Sequence, residues 1–144
     1  MDECKPLGRE HGCDWNEWVC VFAAEGGHLE VLRWAHEHGC PWTVVTSAAA
    51  AAAGDLHVLQ YAQGHGCPWN SSTCAAAAEG GHLELLKWVR AHGCRWDEVT
   101  CEYAVYRGRM EVLKWAREHG CPWTAETRDA AATIGYSDNL PLSV

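Results

Sequence analysis

Residues 27–42 read GHLEVLRWAHEHGCPW and contain the unit from which this 144-residue chain is built. Its end belongs to a motif, His-Gly-Cys-x-Trp, that starts at positions 11, 38, 65, 92 and 119, a constant step of 27. In that frame four units align without an insertion: 27–53, 54–80, 81–107 and 108–134. A fixed period between about 20 and 50 residues indicates a solenoid, in which stacking buries apolar faces that one unit cannot bury alone.

Each unit is predicted to hold two helices. Before the motif, apolar residues recur at helical spacing, and Gly39 suits the left-handed end of that helix. Each motif Trp is followed by Asn, Thr or Asp, whose side-chain oxygen can cap the next helix. We therefore expect almost no strand, and helices near 17–25, 28–38, 44–53, 56–65, 71–79, 82–92, 98–107, 109–119 and 125–134.

The stretch 27–42 resembles the second helix and exit of the ankyrin repeat, usually written G-H-L-E-V-V-K-L-L-L-E-x-G-A-D-V-N. The small pair Ala50 and Ala51 matches the family's first helix, although its T-P-L-H signature is missing. Similar short repeats that carry Trp are familiar from algae, protists and large DNA viruses. Ankyrin repeats run to about 33 residues, so units of 27 leave too little chain for the family's β-hairpin finger.

This resemblance implies an all-α solenoid of stacked helix-turn-helix, ankyrin-like repeats with shortened or absent β-hairpin fingers. The shortened loops imply a flatter binding surface than is usual in the family. We expect one domain over 1–144, in which 1–26 form a partial N-terminal unit and 135–144 a degenerate C-terminal tail. Since neither end reads as a polar cap, the ends are candidates for self-association.

Charge and composition exclude several classes of partner. The net charge is −8 and the 11 Lys and Arg residues are scattered, so the chain lacks the basic footprint of a nucleic-acid binder or of a protein that binds an anionic membrane. No apolar run approaches the length of a membrane helix, and MDECKPLGRE lacks the apolar segment of a signal peptide. Nine cysteines, an odd number, favour a reducing compartment, and we expect an intracellular, cytoplasmic protein.

The repeated motif combines His and Cys, which are zinc ligands and catalytic residues elsewhere. A structural role is favoured: His38 can bond helix-end carbonyls, and Trp42 is expected to fill space between neighbouring units. The resemblance places Cys40 where the ankyrin family has a small buried Ala, a position that suits a free Cys. One motif supplies two of the four ligands that zinc needs, and packed helices lie about 8–10 Å apart. The same separation argues against a series of disulfides that join successive units. A second repeat position holds Cys in three units but Ser47 and Arg128 in the other two, so it cannot supply a ligand to every unit.

We therefore predict no metal site and no cofactor. Five equivalent motifs single out no activated nucleophile, so we predict no catalytic residue and no enzymatic activity. A metal-binding or redox protein that uses the His-Gly-Cys motifs remains the alternative, as does a purely structural spacer or self-association module.

The units differ most on the first helix, where ankyrin-like stacks usually meet a partner with their concave face. This pattern, read with the resemblance, predicts a non-catalytic protein–protein interaction scaffold. Tyr103 occupies a repeat position that holds Phe22 or an alanine in the other units, and it is predicted to lie in the core. The residues predicted to bind the partner protein, whose identity the sequence does not reveal, are Trp18, Ser71, Ser72, Glu79, Glu98, Glu102, Tyr106 and Arg107.

Overall fold

The computed structural model describes residues 17–136, and within them the chain is helical with no β-strand. The repeats alternate a first helix (α1, α3, α5, α7, α9) with a second helix (α2, α4, α6, α8). In chain order the helices are α1 Glu17–Glu25, α2 Leu29–Glu37, α3 Val44–Ala53, α4 Leu56–Gly64, α5 Ser71–Gly80, α6 Leu83–Ala91, α7 Glu98–Tyr106, α8 Met110–Glu118 and α9 Ala125–Thr133. The all-α prediction is confirmed, and each predicted helix is present with ends that agree to within about one residue.

The first helices begin at the predicted capping residues. The Thr43 hydroxyl accepts a hydrogen bond from the Val45 amide at 3.1 Å, and the Thr46 hydroxyl accepts one from the Thr43 amide at 3.2 Å. Asn70 and Asp97 cap α5 and α7 in the same way, with side-chain oxygens 3.0 and 3.1 Å from the amide nitrogens two residues on. These contacts satisfy amides that a helix start leaves without a backbone partner.

The second helices end at the His-Gly-Cys motif. His38 Nδ1 lies 2.7 Å from the Trp34 carbonyl oxygen, and because a carbonyl can only accept, the ring nitrogen donates. Gly39 follows with a φ of 87°, which an L side chain rarely adopts, and the Cys40 amide then bonds Ala35 O at 2.9 Å. The motif histidines His65, His92 and His119 make the same bond to the carbonyl four residues earlier. The predicted capping role of these histidines is confirmed.

The described helices fall into two compact units, one up to Trp69 and the other from Asn70. In the first unit α1 packs against α2 and α3, and α4 packs against α3 and α2. The side chains of Leu32, Ala35, Leu59 and Ala62, which face the first helices, are fully buried. The small pair Ala50 and Ala51 on α3 is also fully buried, because these positions are where the helices approach each other.

In the second unit α5 packs against α6 and α7, and α7 packs against α8 and α9. Its core repeats the same columns, with Leu86, Val89, Leu113 and Ala116 fully buried on the second helices. No helix among residues 17–136 combines the length and the apolar character that crossing a bilayer requires.

The motif tryptophans pack between successive second helices. The Trp42 ring stacks on His36 of α2 at a centroid distance of 4.0 Å and meets Tyr61 of α4 edge-on at 6.2 Å. In the second unit the Arg90 guanidinium lies 4.1 Å from the centroid of Trp96, whose other neighbour is Trp115 at 5.7 Å. The prediction that these rings fill space between neighbouring repeats is confirmed at both positions.

Candidate interaction face

Large apolar side chains that remain exposed concentrate on the first helices. Six such residues occur in the described part of the chain, and five of them lie on α1, α3 and α7: Trp18, Phe22, Val45, Tyr103 and Tyr106. They follow the helical spacing i, i+4, i+7, so they point away from the neighbouring second helix. We call this exposed side of the first helices the first-helix face.

In the first unit this face is aromatic and aliphatic. Phe22 is 61% exposed and Trp18 is 51% exposed, and their ring centroids lie 6.3 Å apart along α1. Val45, exposed on α3, adds to the apolar surface because α3 packs beside α1. Clusters of exposed apolar side chains of this kind are typical of surfaces that meet another molecule.

In the second unit the face contains a groove between α5 and α7 of about 200 Å³. Small side chains of α5 form one wall and the Tyr103 ring stands on the other. The residues that line the groove are Ser71, Ser72, Ala75, Ala76, Glu79, Asp97, Val99 and Tyr103. The groove exists because α5 presents serines and alanines where α7 presents larger residues.

A charged pair lies beside this groove. Arg107 Nη2 is 2.7 Å from Glu79 Oε2, and Arg109 Nε donates to the Glu79 backbone carbonyl at 3.0 Å. Arg107 therefore bridges the C-terminal ends of α5 and α7. Both side chains of the Glu79–Arg107 pair keep more than a third of their surface exposed, so they remain accessible to a partner.

The eight predicted residues do not form one cluster. Ser71, Ser72 and Glu79 line the groove, and Arg107 is joined to it through Glu79. The remaining three in the second unit lie on α7 outside the lining, Glu98 and Tyr106 exposed and Glu102 half-buried. Trp18 belongs to the first unit.

Tyr103 is the residue that sequence reasoning misplaced. It is 37% exposed and lines the groove, so the prediction that it is core was wrong. Its column holds Phe22 and three alanines, and a core position seldom accepts such a change of volume. That variation was the signal for an exposed column. Asp97 and Val99, which also line the groove, were not among the predicted residues, and Asp97 was interpreted only as a helix-capping residue.

The sequence reasoning considered only the distance between motifs of successive units and missed a cysteine contact within a repeat. The Cys20 thiol donates to the Cys40 sulfur at 3.4 Å, because the first helix packs directly against the turn that follows its own second helix. No group of three or more His, Cys, Asp or Glu residues that could hold a metal ion occurs among the residues that the structure describes.

Comparison of the sequence with models of known protein families and with curated proteins found no match. What the chain does is therefore inferred from the first-helix face itself.

Proposed function

We propose that this protein is a short, 27-residue variant of the ankyrin repeat that acts as a non-catalytic scaffold and binds another protein through its first-helix face. In this proposal the repeats continue as one solenoid and the first helices line its concave side. Nine cysteines, an odd number, suit a reducing, intracellular setting.

One observation carries the proposal. Five of the six exposed large apolar residues in the described chain lie on first helices, whereas exposed positions of the second helices are mainly charged, as at Glu30, Glu111 and Lys114. A soluble helix face that binds nothing would be expected to be polar, since exposing aromatic rings to water costs free energy. Tyr and Trp are also the side chains that most often anchor protein interfaces.

The groove indicates the chemistry of the partner. Glu79, Asp97, Glu98 and Glu102 place four carboxylates on or beside α7 and α5, against the guanidinium groups of Arg107 and Arg109. An acidic surface around tyrosine rings favours a segment that combines Lys or Arg with an apolar or aromatic side chain. Electrostatic attraction at exposed carboxylates weakens as salt rises, so affinity is expected to fall with ionic strength.

Selection from a random peptide display library against the whole chain tests the proposal directly. Enriched peptides are expected to be basic and aromatic, and to lose about tenfold or more of their affinity for the double variant Tyr103→Ala with Tyr106→Ala. The matched control is Glu111→Ala with Lys114→Ala, which changes two exposed residues on α8. Unchanged binding to the tyrosine variant, or equal loss in both variants, would overturn this assignment of the site.

Sedimentation of the protein alone separates partner binding from self-association. If the protein sediments as a monomer at micromolar concentrations, the first-helix face does not bind a second copy of the chain, as expected for a site that binds another protein. A dimer that dissociates when Tyr103 and Tyr106 are replaced would identify a second copy of this chain as the occupant. The terminal residues predicted to self-associate lie largely outside residues 17–136.

A further inference from the structure

Three pairs of cysteines occupy equivalent positions, each pair separated by 20 positions in the sequence. Cys20 of α1 donates to Cys40 across 3.4 Å, and Cys74 with Cys94 and Cys101 with Cys121 stand at the same two positions of later repeats. In each pair one sulfur belongs to a first helix and the other to the turn that follows the second helix of the same repeat. The arrangement recurs because the 27-residue period places both columns identically in each repeat.

The α3–α4 repeat, which lacks a cysteine pair, shows that the contact is a property of the fold. There Ser47 of α3 replaces the helix cysteine, and its hydroxyl oxygen lies 3.3 Å from the Cys67 sulfur. The Ser47 hydroxyl also donates to the Pro68 carbonyl at 2.8 Å. One repeat therefore presents the same geometry with an atom that cannot form a disulfide.

The turn cysteines are held in place by further contacts. The thiols of Cys67, Cys94 and Cys121 reach the backbone carbonyls of Thr43, Asn70 and Asp97, at 3.5, 3.3 and 3.5 Å. Those carbonyls belong to the capping residues at the start of the first helix of the same repeat. Cys94 and Cys121 are thus held close to the first helix of their repeat, so little chain entropy remains to be lost when a bond forms there.

We propose that the Cys20–Cys40, Cys74–Cys94 and Cys101–Cys121 pairs are three reversible dithiol–disulfide sites that a low-molecular-weight disulfide, such as oxidised glutathione, can oxidise. The sulfurs of a disulfide lie about 2.05 Å apart, so closing the Cys20–Cys40 gap requires a movement of little more than an ångström. Because all six sulfurs are buried, the small disulfide reaches them only when a turn opens locally.

The reaction balances in two exchange steps. One cysteine thiolate attacks the small disulfide, which forms a mixed disulfide and releases one small thiolate. The neighbouring cysteine, as its thiolate, then attacks the protein sulfur of that mixed disulfide and releases the second small thiolate. The two protons of the cysteines pass to the released thiolates, and two electrons pass from the cysteine pair to the small disulfide.

Cys94 is the expected starting point. The hydrogen bond that Cys74 donates and the positive charge of Arg90 together lower the pKa of the Cys94 thiol despite its burial. At the first pair, burial and the hydrogen bond to Cys40 raise the pKa of Cys20, which makes its thiolate scarcer. Within the Cys74–Cys94 pair, where the same hydrogen bond and burial raise the pKa of Cys74, Cys94 is therefore the expected first nucleophile.

The consequence is a chain in which three repeats can each be cross-linked by its own disulfide. Each bond would tie a first helix to the turn after its second helix and would restrict the unfolded chain. The α3–α4 repeat, which has Ser47, would stay open. The oxidised protein should melt at a higher temperature than the reduced protein, and a dithiol reductant should reverse the change.

The test equilibrates the native, full chain with mixtures of reduced and oxidised glutathione, then traps free thiols with a maleimide for intact mass measurement and peptide mapping. Trypsin separates the two members of each pair, because Arg or Lys residues lie between them, but it leaves Cys40, Cys67 and Cys74 on one peptide, 34–87. Further digestion with chymotrypsin, which cleaves after Tyr61 and Trp69, separates these three cysteines. Three cross-links between positions 20 apart are expected, with Cys67 labelled by maleimide. Absence of these cross-links after equilibration, or the same scrambled pattern with and without denaturant, would overturn the proposal.

Two variants sharpen the result. Ser47→Cys should add a fourth cross-link, to Cys67, and Cys74→Ser should remove one cross-link and leave Cys94 labelled while the other two form. Failure of Ser47→Cys to gain its cross-link would show that the repeat geometry does not align the sulfurs. Circular dichroism of both reduced variants verifies that each retains the helical fold.

Discussion

At the scale of single residues, the repeated histidine and tryptophan have structural roles that differ in energy. Each motif His within residues 17–136 donates its Nδ1 proton to a helix-end carbonyl and stacks on the aromatic ring four residues earlier, as His92 does on Trp88 at a centroid distance of 4.2 Å. His92 is nevertheless exposed, whereas Trp96 is half-buried between two helices. The tryptophan therefore removes more apolar surface from water than the histidine does.

Trp96→Ala should lower the free energy of unfolding by about 2–3 kcal/mol, because it removes a large ring together with its contacts to Arg90 and Trp115. His92→Ala should cost about 1 kcal/mol or less, the value of one exposed hydrogen bond and a surface stack. Urea denaturation followed by circular dichroism measures both. Equal midpoints for the two variants would mean that Trp96 contributes no more than a surface residue.

At the scale of helices, the start of α3, α5, α7 and α9 in each case depends on one capping side chain. Asp97 bonds the Val99 amide at the beginning of α7, and Asn70 makes the equivalent bond for α5. Asp97→Ala should destabilise the protein by about 1 kcal/mol, whereas Asp97→Asn should be nearly neutral, because Asn already does this at position 70. Hydrogen exchange at the first amides of α7 provides a local readout. Faster exchange in the Asn variant as well would show that charge, and not geometry, makes the cap.

The Glu79–Arg107 pair joins two helices but is expected to add little stability. Its side chains are 38% and 59% exposed, so water and salt screen the attraction. Arg107→Ala should change the free energy of unfolding by less than about 0.5 kcal/mol. Thermal melting measures this, and a larger loss would indicate that Arg107 and Arg109 act together to hold α5 against α7.

At the scale of the whole molecule, the buried thiols make stability depend on alkaline pH. Burial and the hydrogen bond to Cys40 raise the pKa of Cys20 in the folded state above its ordinary value of 9.0. Above that value the unfolded chain ionises while the folded thiol keeps its proton, so ionisation favours unfolding. The stabilising contribution is complete below about pH 8 and declines as pH rises past about 9.

In reducing buffer, unfolding free energy should therefore fall between about pH 8 and 10, by at most about 1.4 kcal/mol per pH unit for each such thiol. Cys20→Ala should show a shallower decline than the natural chain. Denaturant titrations at several pH values provide the comparison. Parallel pH profiles for the two proteins would contradict the assignment of the decline to Cys20.

Features that depend on neighbours along the chain could be predicted from the sequence alone. Helix starts follow from the capping oxygens of Thr43, Asn70 and Asp97, and helix ends follow from the glycines after each motif His. In both cases the two residues that interact lie within about five positions of each other, so a short stretch of sequence shows both of them. The 27-residue period predicted that pairs of helices repeat along the chain.

Features that depend on the packing of helices appeared only in the tertiary structure. The Glu79–Arg107 pair and the contact of Cys20 with Cys40 join residues that are 20 or more positions apart in the sequence. The exposure of Tyr103 depends on how much of its ring the neighbouring helix leaves uncovered. Spacing along a helix says which side chains share a side, but not which side is covered. That is decided by the approach of α1 to α3 and of α5 to α7, where small residues such as the alanines let the helices come together and leave the larger rings in water.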